Sequence, residues 1–300
     1  MQVHGAIKGL SPDYVESYIQ DEAGKNTGQK IIQESHMDFI TTHEPQIRLG
    51  CFLVMLGVIM AWEVMAPRLR LALPRRRRWP ANLLIVALNT VAVRLVFPIL
   101  PIGAAAWAAE EGWGLLNVTA VPEHMAIAGA VMVLDLAIYL QHVIFHKVPV
   151  LWRLHRMHHA DTGFDVTTGS RFHPIEIMLS TMIKMAVIVI IGAPMVAVVL
   201  FEVLLNATAT FNHGNIRLPL GLDRALRLVL VTPDMHRVHH SSVRAETDSN
   251  YGFNIPWWDR LFGTYRDQPA LGHDGMEIGL PILRDPGEQR LDRMITQPFR

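Results

Sequence analysis

Fifteen of the 300 residues are histidine, and ten of these fall in a pattern between positions 142 and 240. They read His142-x-x-x-His146, then His155-x-x-His158-His159, then single His173 and His213, then His236-x-x-His239-His240. On a helix, spacings of three and four place side chains on one face about a turn apart, so each cluster aims two or three imidazoles in one direction. That is a geometry for holding metal. At a histidine frequency of 5%, His-x-x-His-His arises by chance at about one position in 8,000, so two copies in one chain are a specific signal. With His213 the clusters supply nine imidazoles, more than the four or six donors one ion takes, so two metals fit better than one. Imidazole suits iron, zinc, copper and nickel alike. The chain has neither the Glu-x-x-His pairs of carboxylate-bridged di-iron bundles nor the His-Glu-x-x-His of zincin proteases. His4, His36, His43, His124 and His273 stand alone in polar or loop sequence and need no special role.

The remaining composition says what must position this cluster. Half the residues are hydrophobic, 18% are charged, and the mean hydropathy is +0.23, which points to a membrane protein. Twenty-seven basic and 27 acidic residues cancel, which removes a general electrostatic case for nucleic-acid binding. Cys51 is the single cysteine, so neither an internal disulfide nor a Cys-ligated zinc or iron–sulfur site can form. The polar segment 1–46 shows no signal-peptide pattern. Apolar runs at 47–66, 81–103 and 121–145 each approach the length that crosses a bilayer, and the third carries Asp135, Tyr139, His142 and His146 on one stripe. The run 175–211 is too long for one crossing, since as one helix it would extend about 55 Å. Gly192 and Pro194 at its centre predict a helical hairpin, with Lys184 and Glu202 in its limbs pairing or snorkelling. Six arginines in the loop 67–79 mark that loop as cytoplasmic, and counting crossings from it puts His142 to His173, and everything after His213, on the same side. The expected architecture is all-α: a multi-pass bundle of four to five membrane-embedded helices with a cytosolic, histidine-rich cap. The expected domains are a polar segment 1–46, a catalytic domain 47–268 and a polar surface tail 269–300.

Beyond the histidines, the sequence carries Asp135-x-x-x-Tyr139-x-x-His142, Leu151-Trp152-Arg153, Arg171-Phe172-His173-Pro174, Asn212-His213-Gly214-Asn215 and Thr232-Pro233-Asp234-Met235-His236. Asn250-Tyr251-Gly252 follows, then Trp258 through Tyr265. Over about residues 125–268 this order resembles the fatty acid hydroxylase and sterol desaturase superfamily of membrane-bound, non-haem di-iron enzymes. The resemblance implies O2-dependent oxidation of an unactivated C–H bond in a sterol, fatty acyl or related lipid, by hydroxylation or desaturation. It implies two iron ions held by His142, His146, His155, His158, His159, His213, His236, His239 and His240. For His173 two roles stay open, a tenth ligand or a positioning residue acting through the turn to Glu176. Electrons must come from a separate reductase, ferredoxin or cytochrome, because the chain has no evident redox domain. Ligating imidazoles usually donate their second N–H to a carboxylate or carbonyl, and Asp135 and Asp234 are candidates for that; Asn215 is a candidate to hold a metal-bound water. A dizinc membrane hydrolase and a noncatalytic metal-binding membrane protein are the alternatives.

Overall fold

The computed structural model describes residues 39–300, so His4, His36 and most of the polar segment 1–46 lie outside the described residues. The apolar runs become helices α1 (Glu44–Met65), α2 (Arg75–Val96), α3 (Pro101–Glu110), α4 (Glu123–Lys147), α5 (Pro149–His159), α6 (Pro174–Ile191) and α7 (Met195–Asn212). Three shorter helices matter to the site: α8 (Pro233–His239), α9 (Trp257–Leu261) and α10 (Leu291–Thr296). No strand forms among the described residues, only two isolated bridges, so the chain is all-α. Five stretches, 44–65, 75–118, 123–147, 174–191 and 195–212, are long and apolar enough to cross a membrane. Proline opens α3, α5, α6 and α8, where its missing N–H has no intrahelical partner to lose.

The run expected as one crossing at 81–103 lies within the single candidate span 75–118, but it is built of two helices. Pro98 and Pro101 cannot donate to the preceding turn, so α2 ends at Val96 and α3 starts afresh at Pro101. From α3 the chain continues onto the hairpin between α6 and α7. That hairpin turns at Gly192, whose φ of +66° suits glycine, and a Cβ there would lie 2.8 Å from Asn117 Nδ2. Gly114 presses on the same turn: a Cβ on it would come within 2.1 Å of the Gly192 nitrogen.

Small and branched residues make the interior between these helices. Ala104 and Ala105 of α3, Ala130, Leu134 and Ile138 of α4, Ile188 of α6, and Ala197 and Phe201 of α7 form one buried cluster. Outward faces stay apolar and exposed, for example at Leu53, Val58, Val91, Leu95, Ile190 and Leu204, which is the surface a lipid phase covers. The charges inside the runs are managed by pairing: Glu202 of α7 bonds Lys184 of α6, and Arg48 of α1 at 2.9 Å. The segment 269–300, expected as a surface tail, is held against the bundle through α10. Met294 is fully buried with Ala81, Ile85 and Met157.

Candidate metal centre

The ends of α4 and α7, the whole of α5, and α8 meet at one end of the bundle, and nine histidines converge there. They fall into two groups: His142, His146, His155, His159 and His239, and His158, His213, His236 and His240. Within each group every ligand atom lies within 4.8 Å of the others, and all nine residues are buried. The intervals of three and four set this up, and the adjacent pairs split between the groups. Neighbouring helical residues point about 100° apart, so His158 and His159 serve different groups, as do His239 and His240.

Hydrogen bonds fix which nitrogen of each ring is free. His142 Nδ1 donates to the Tyr251 carbonyl at 2.8 Å, so in the neutral ring Nε2 carries the lone pair. His155 Nδ1 donates to Glu176 Oε1 at 2.6 Å, and its Nε2 then faces His142 Nε2 at 3.1 Å. In the second group His213 Nδ1 donates to the Ala209 carbonyl at 2.8 Å. Its Nε2 stands 3.2 Å from His158 Nε2 and 3.0 Å from His236 Nε2. His239 Nδ1 donates to the Ser249 carbonyl at 2.7 Å, which leaves its Nε2 without a partner. The buried ring nitrogens of His146 and His240, and His159 Nε2, also have no hydrogen-bond partner.

Lone pairs facing one another at such distances repel unless a cation stands between them. Two nitrogens bound to one ion at about 2.1 Å and 90° apart are about 3.0 Å from each other, the spacing seen here. The donor set therefore fits two metal ions, one per group. A proton is a poor substitute for the metal. Burial pushes the imidazoles of His158, His159, His236 and His240 well below their usual 6.5, His213 down to about 4 and His239 to about 3. One consequence concerns the metal-free protein. Because unfolded histidine takes its proton near 6.5 while these rings refuse it, the unfolded state binds more protons as pH falls. Stability is therefore expected to drop between pH 7 and 5, by about 2 kcal/mol per buried imidazole. Thermal midpoints of chelated protein in detergent at the two pH values check this; equal midpoints would contradict it.

The loops behind the rings are clamped by buried charge. Arg78, in the first turn of α2, is fully buried and donates Nε and Nη2 to the two oxygens of Asp161 at 2.6 and 2.8 Å, and Nη1 to Asp165 at 2.7 Å. Asp161 follows α5 directly, so this clamp fixes the end of the helix that carries His155, His158 and His159. Burial pushes the Asp161 carboxyl up, and the guanidiniums of Arg78 and Arg171 outweigh that and hold it near 2. Glu63 of α1 accepts from the backbone N–H of both Val166 and Asn215, at 2.7 and 2.6 Å, and so ties the loops after His159 and His213 together. The arginine run, read from sequence as a topology anchor, thus contributes one residue to the support of the site.

Four other sequence expectations find different partners. His173 lies outside both groups: it caps α6, its Nδ1 accepting from Ile175 N at 3.2 Å while Nε2 donates to the Ile295 carbonyl at 3.2 Å. It starts the helix on which Glu176 reaches His155. Asp135 accepts from Asn254 Nδ2 and Trp258 Nε1 at 2.7 and 2.8 Å, and Asp234 pairs with Arg68 at 3.3 Å. Asn215 binds Leu69 N and O through its side chain at 3.0 and 2.8 Å. None of these three is hydrogen-bonded to a clustered imidazole among the described residues. That work falls to Glu176 and to carbonyls of Ala209, Ser249 and Tyr251. Glu176 stands in the first turn after Pro174, and a buried acid there was the one available signal. Asp259 in turn accepts from Tyr251 N and Gly252 N at 2.8 Å each, which places the Tyr251 carbonyl.

The fatty acid hydroxylase family model matches residues 127–264, a span that contains all nine clustered histidines. The chain is 29% identical over 148 residues to an ornithine lipid hydroxylase of Rhizobium tropici, covering 49% of this chain and 44% of that protein. It is 31% identical over 136 residues to the alkylglycerol monooxygenase of Homo sapiens, covering 44% of this chain and 28% of that one. A fatty acid hydroxylase of a Lecanicillium species is 27% identical over 165 residues, 51% of this chain and 45% of that protein. The chain thus spans less than half the length of these curated relatives. No solved structure matches it.

Proposed function

Residues 127–264 belong to the fatty acid hydroxylase family, and from that premise we propose that the chain is an O2-dependent lipid hydroxylase with a two-iron centre. The facing Nε2 atoms of His142 and His155, and of His213 with His158 and His236, are the observation that carries this reading. His142, His146, His155, His159 and His239 hold one ion; His158, His213, His236 and His240 hold the other. Bound iron supplies O2 activation and C–H cleavage that no side chain here can perform. Per turnover one oxygen atom enters the C–H bond, and the other leaves as water with two electrons and two protons.

The chain's own residues bind, orient and shield. Glu176 and the carbonyls of Tyr251, Ala209 and Ser249 lock the tautomers. Phe253 packs on the apolar interior of the bundle and lies 5.3 Å from the His142 ring, and Phe172 stacks on His158 at 4.4 Å. An alkyl chain reaches the centre from that apolar side, with water excluded. We read the catalytic domain as 47–268 and the centre as facing the cytoplasm, a reading supported by the arginine-rich segment 67–79, whose Arg78 bonds Asp161 beside the boxes. Electrons come from a separate carrier protein. The relatives' names favour hydroxylation over desaturation.

Glu176→Gln keeps the size of the side chain and removes the charge that orients His155. It is expected to weaken metal affinity by roughly 10–100-fold, read by titration against a competing chelator; unchanged affinity would contradict its role. The function itself is tested by lipidomics of expressing cells under 18O2. A hydroxylated lipid carrying one 18O supports it. An unlabelled product two hydrogens lighter means desaturation, and a product formed without O2 and labelled from H2 18O means a hydrolase.

A further inference from the structure

The nine imidazoles touch six other aromatic rings, and only one of these is an indole that reaches the surface. Tyr251, Phe145 and Phe164 are fully buried, Phe253 leads back to the apolar interior, and the half-buried Phe172 stacks on His158. Trp152 of α5 is half-buried. Its ring centre is 4.8 Å from that of His146, 5.3 Å from His159 and 6.3 Å from His155, three members of the five-histidine group. Its other side lines a surface pocket of about 190 Å³ with Ser242, Arg244, Thr247, Pro281 and Ile282. Arg244 lies over the indole at 4.7 Å.

The surface around this pocket is cationic with an apolar centre. Lys147 and Arg244 are 55% and 53% exposed and share one carboxylate, Asp248, at 3.2 and 2.9 Å. Arg153, one residue along from Trp152, is exposed, and its Nε donates to the Pro298 carbonyl at 2.7 Å. Arg284 and Glu277 pair and cancel at 2.9 Å. Ile282, 53% exposed, and Pro281 supply the apolar part. Lys147 and Arg244 share a single carboxylate, so a net positive charge remains beside the small apolar contact, which suits a transient encounter, steered by charge, with an acidic surface.

We propose that electrons enter the metal centre through Trp152, and that the cationic face over it docks an acidic one-electron carrier protein. This rests on the two-iron reading above. Two reduced carriers dock in turn, each is oxidised by one electron, and the two electrons balance the reduction of one oxygen atom to water. Trp152 bridges the distance between the carrier's cofactor and the imidazoles of His146 and His159, and it is not itself consumed.

The test uses the full chain in lipid nanodiscs with an acidic [2Fe–2S] ferredoxin as the probe. Without iron, carbodiimide cross-linking is expected to join a ferredoxin carboxylate to Lys147, and about 0.5 M salt is expected to suppress it. Ile282→Glu adds a like charge in the pocket rim, away from the histidines; it is expected to abolish that cross-link. In the iron-loaded chain it is expected to slow ferredoxin-driven reduction of the centre about tenfold, while reduction by dithionite is unchanged. Trp152→Phe is expected to lower the rate at saturating ferredoxin without changing ferredoxin affinity. An iron-loaded chain that dithionite reduces, but whose ferredoxin rate is the same in Ile282→Glu and Trp152→Phe, overturns the entry site alone. A chain that takes up no iron overturns the function on which it rests.

Discussion

His236→Ala is expected to remove one of two metal ions per chain and to bring hydroxylation to background, with membrane insertion intact. His236 belongs to the four-histidine group, and its Nε2 is 3.0 Å from that of His213. Three imidazoles remain after the substitution, and the ion they would hold keeps an extra open position filled by water. His146→Ala is the milder case, because the five-histidine group keeps four imidazoles, the number the other group has. O2 chemistry at a pair of ions needs both, so His236→Ala loses turnover while the other group retains its metal. His173→Ala is the contrasting case. Its ring is spent on capping α6 and on the Ile295 carbonyl, so two metals stay bound and the cost is about 1 kcal/mol of stability, as for other helix caps. Metal analysis of the three purified variants decides the matter. Loss of metal in His173→Ala, or two metals retained in His236→Ala, would contradict the assignment.

Arg78→Ala is expected to be the most destabilising single change away from the histidines. It leaves Asp161 and Asp165 in the interior without their cation, and breaking a buried pair of this kind costs about 3–5 kcal/mol. The effect reaches the metal, because Asp161 and Gly163, which Arg78 also binds, immediately follow the helix of three ligands. Deprived of Arg78, Asp161 keeps only the more distant Arg171, at 4.0 Å, against the push of burial and takes up a proton more readily. Asp161→Asn in the Arg78→Ala background removes one of the stranded charges and is expected to recover part of the loss. Thermal midpoints in detergent measure both; a double variant no more stable than Arg78→Ala would show that the stranded charge is not the cause.

How far the sequence reaches differs from residue to residue. The nine histidines are legible because helical spacing carries their geometry, and the hairpin is legible because Gly192 and Pro194 interrupt a run too long for one crossing. Their partners are not. Asp135 looks like a carboxylate for His142, seven residues on, yet it binds Asn254 and Trp258, 119 and 123 residues away, and so holds the loop whose Tyr251 carbonyl orients His142. Carbonyl acceptors at Ala209, Ser249 and Tyr251 have no signature in side-chain sequence at all. Arg78 is hidden among neighbours: Arg75 to Arg78 look alike as residues, and only the helical phase of α2 turns the last one inward onto Asp161 and Asp165. The break between α2 and α3 was written in Pro98 and Pro101, where hydropathy alone reads a continuous run.

Two irons held by imidazole alone are what the proposed chemistry requires of this chain. Mössbauer spectra of the full chain expressed with 57Fe and purified without added chelator test this most directly. The expected result is two high-spin irons per chain in nitrogen-rich environments, both changed by exposure to O2 after reduction, with one iron lost in His236→Ala. One iron per chain, or a metal content dominated by zinc with full activity, would contradict it.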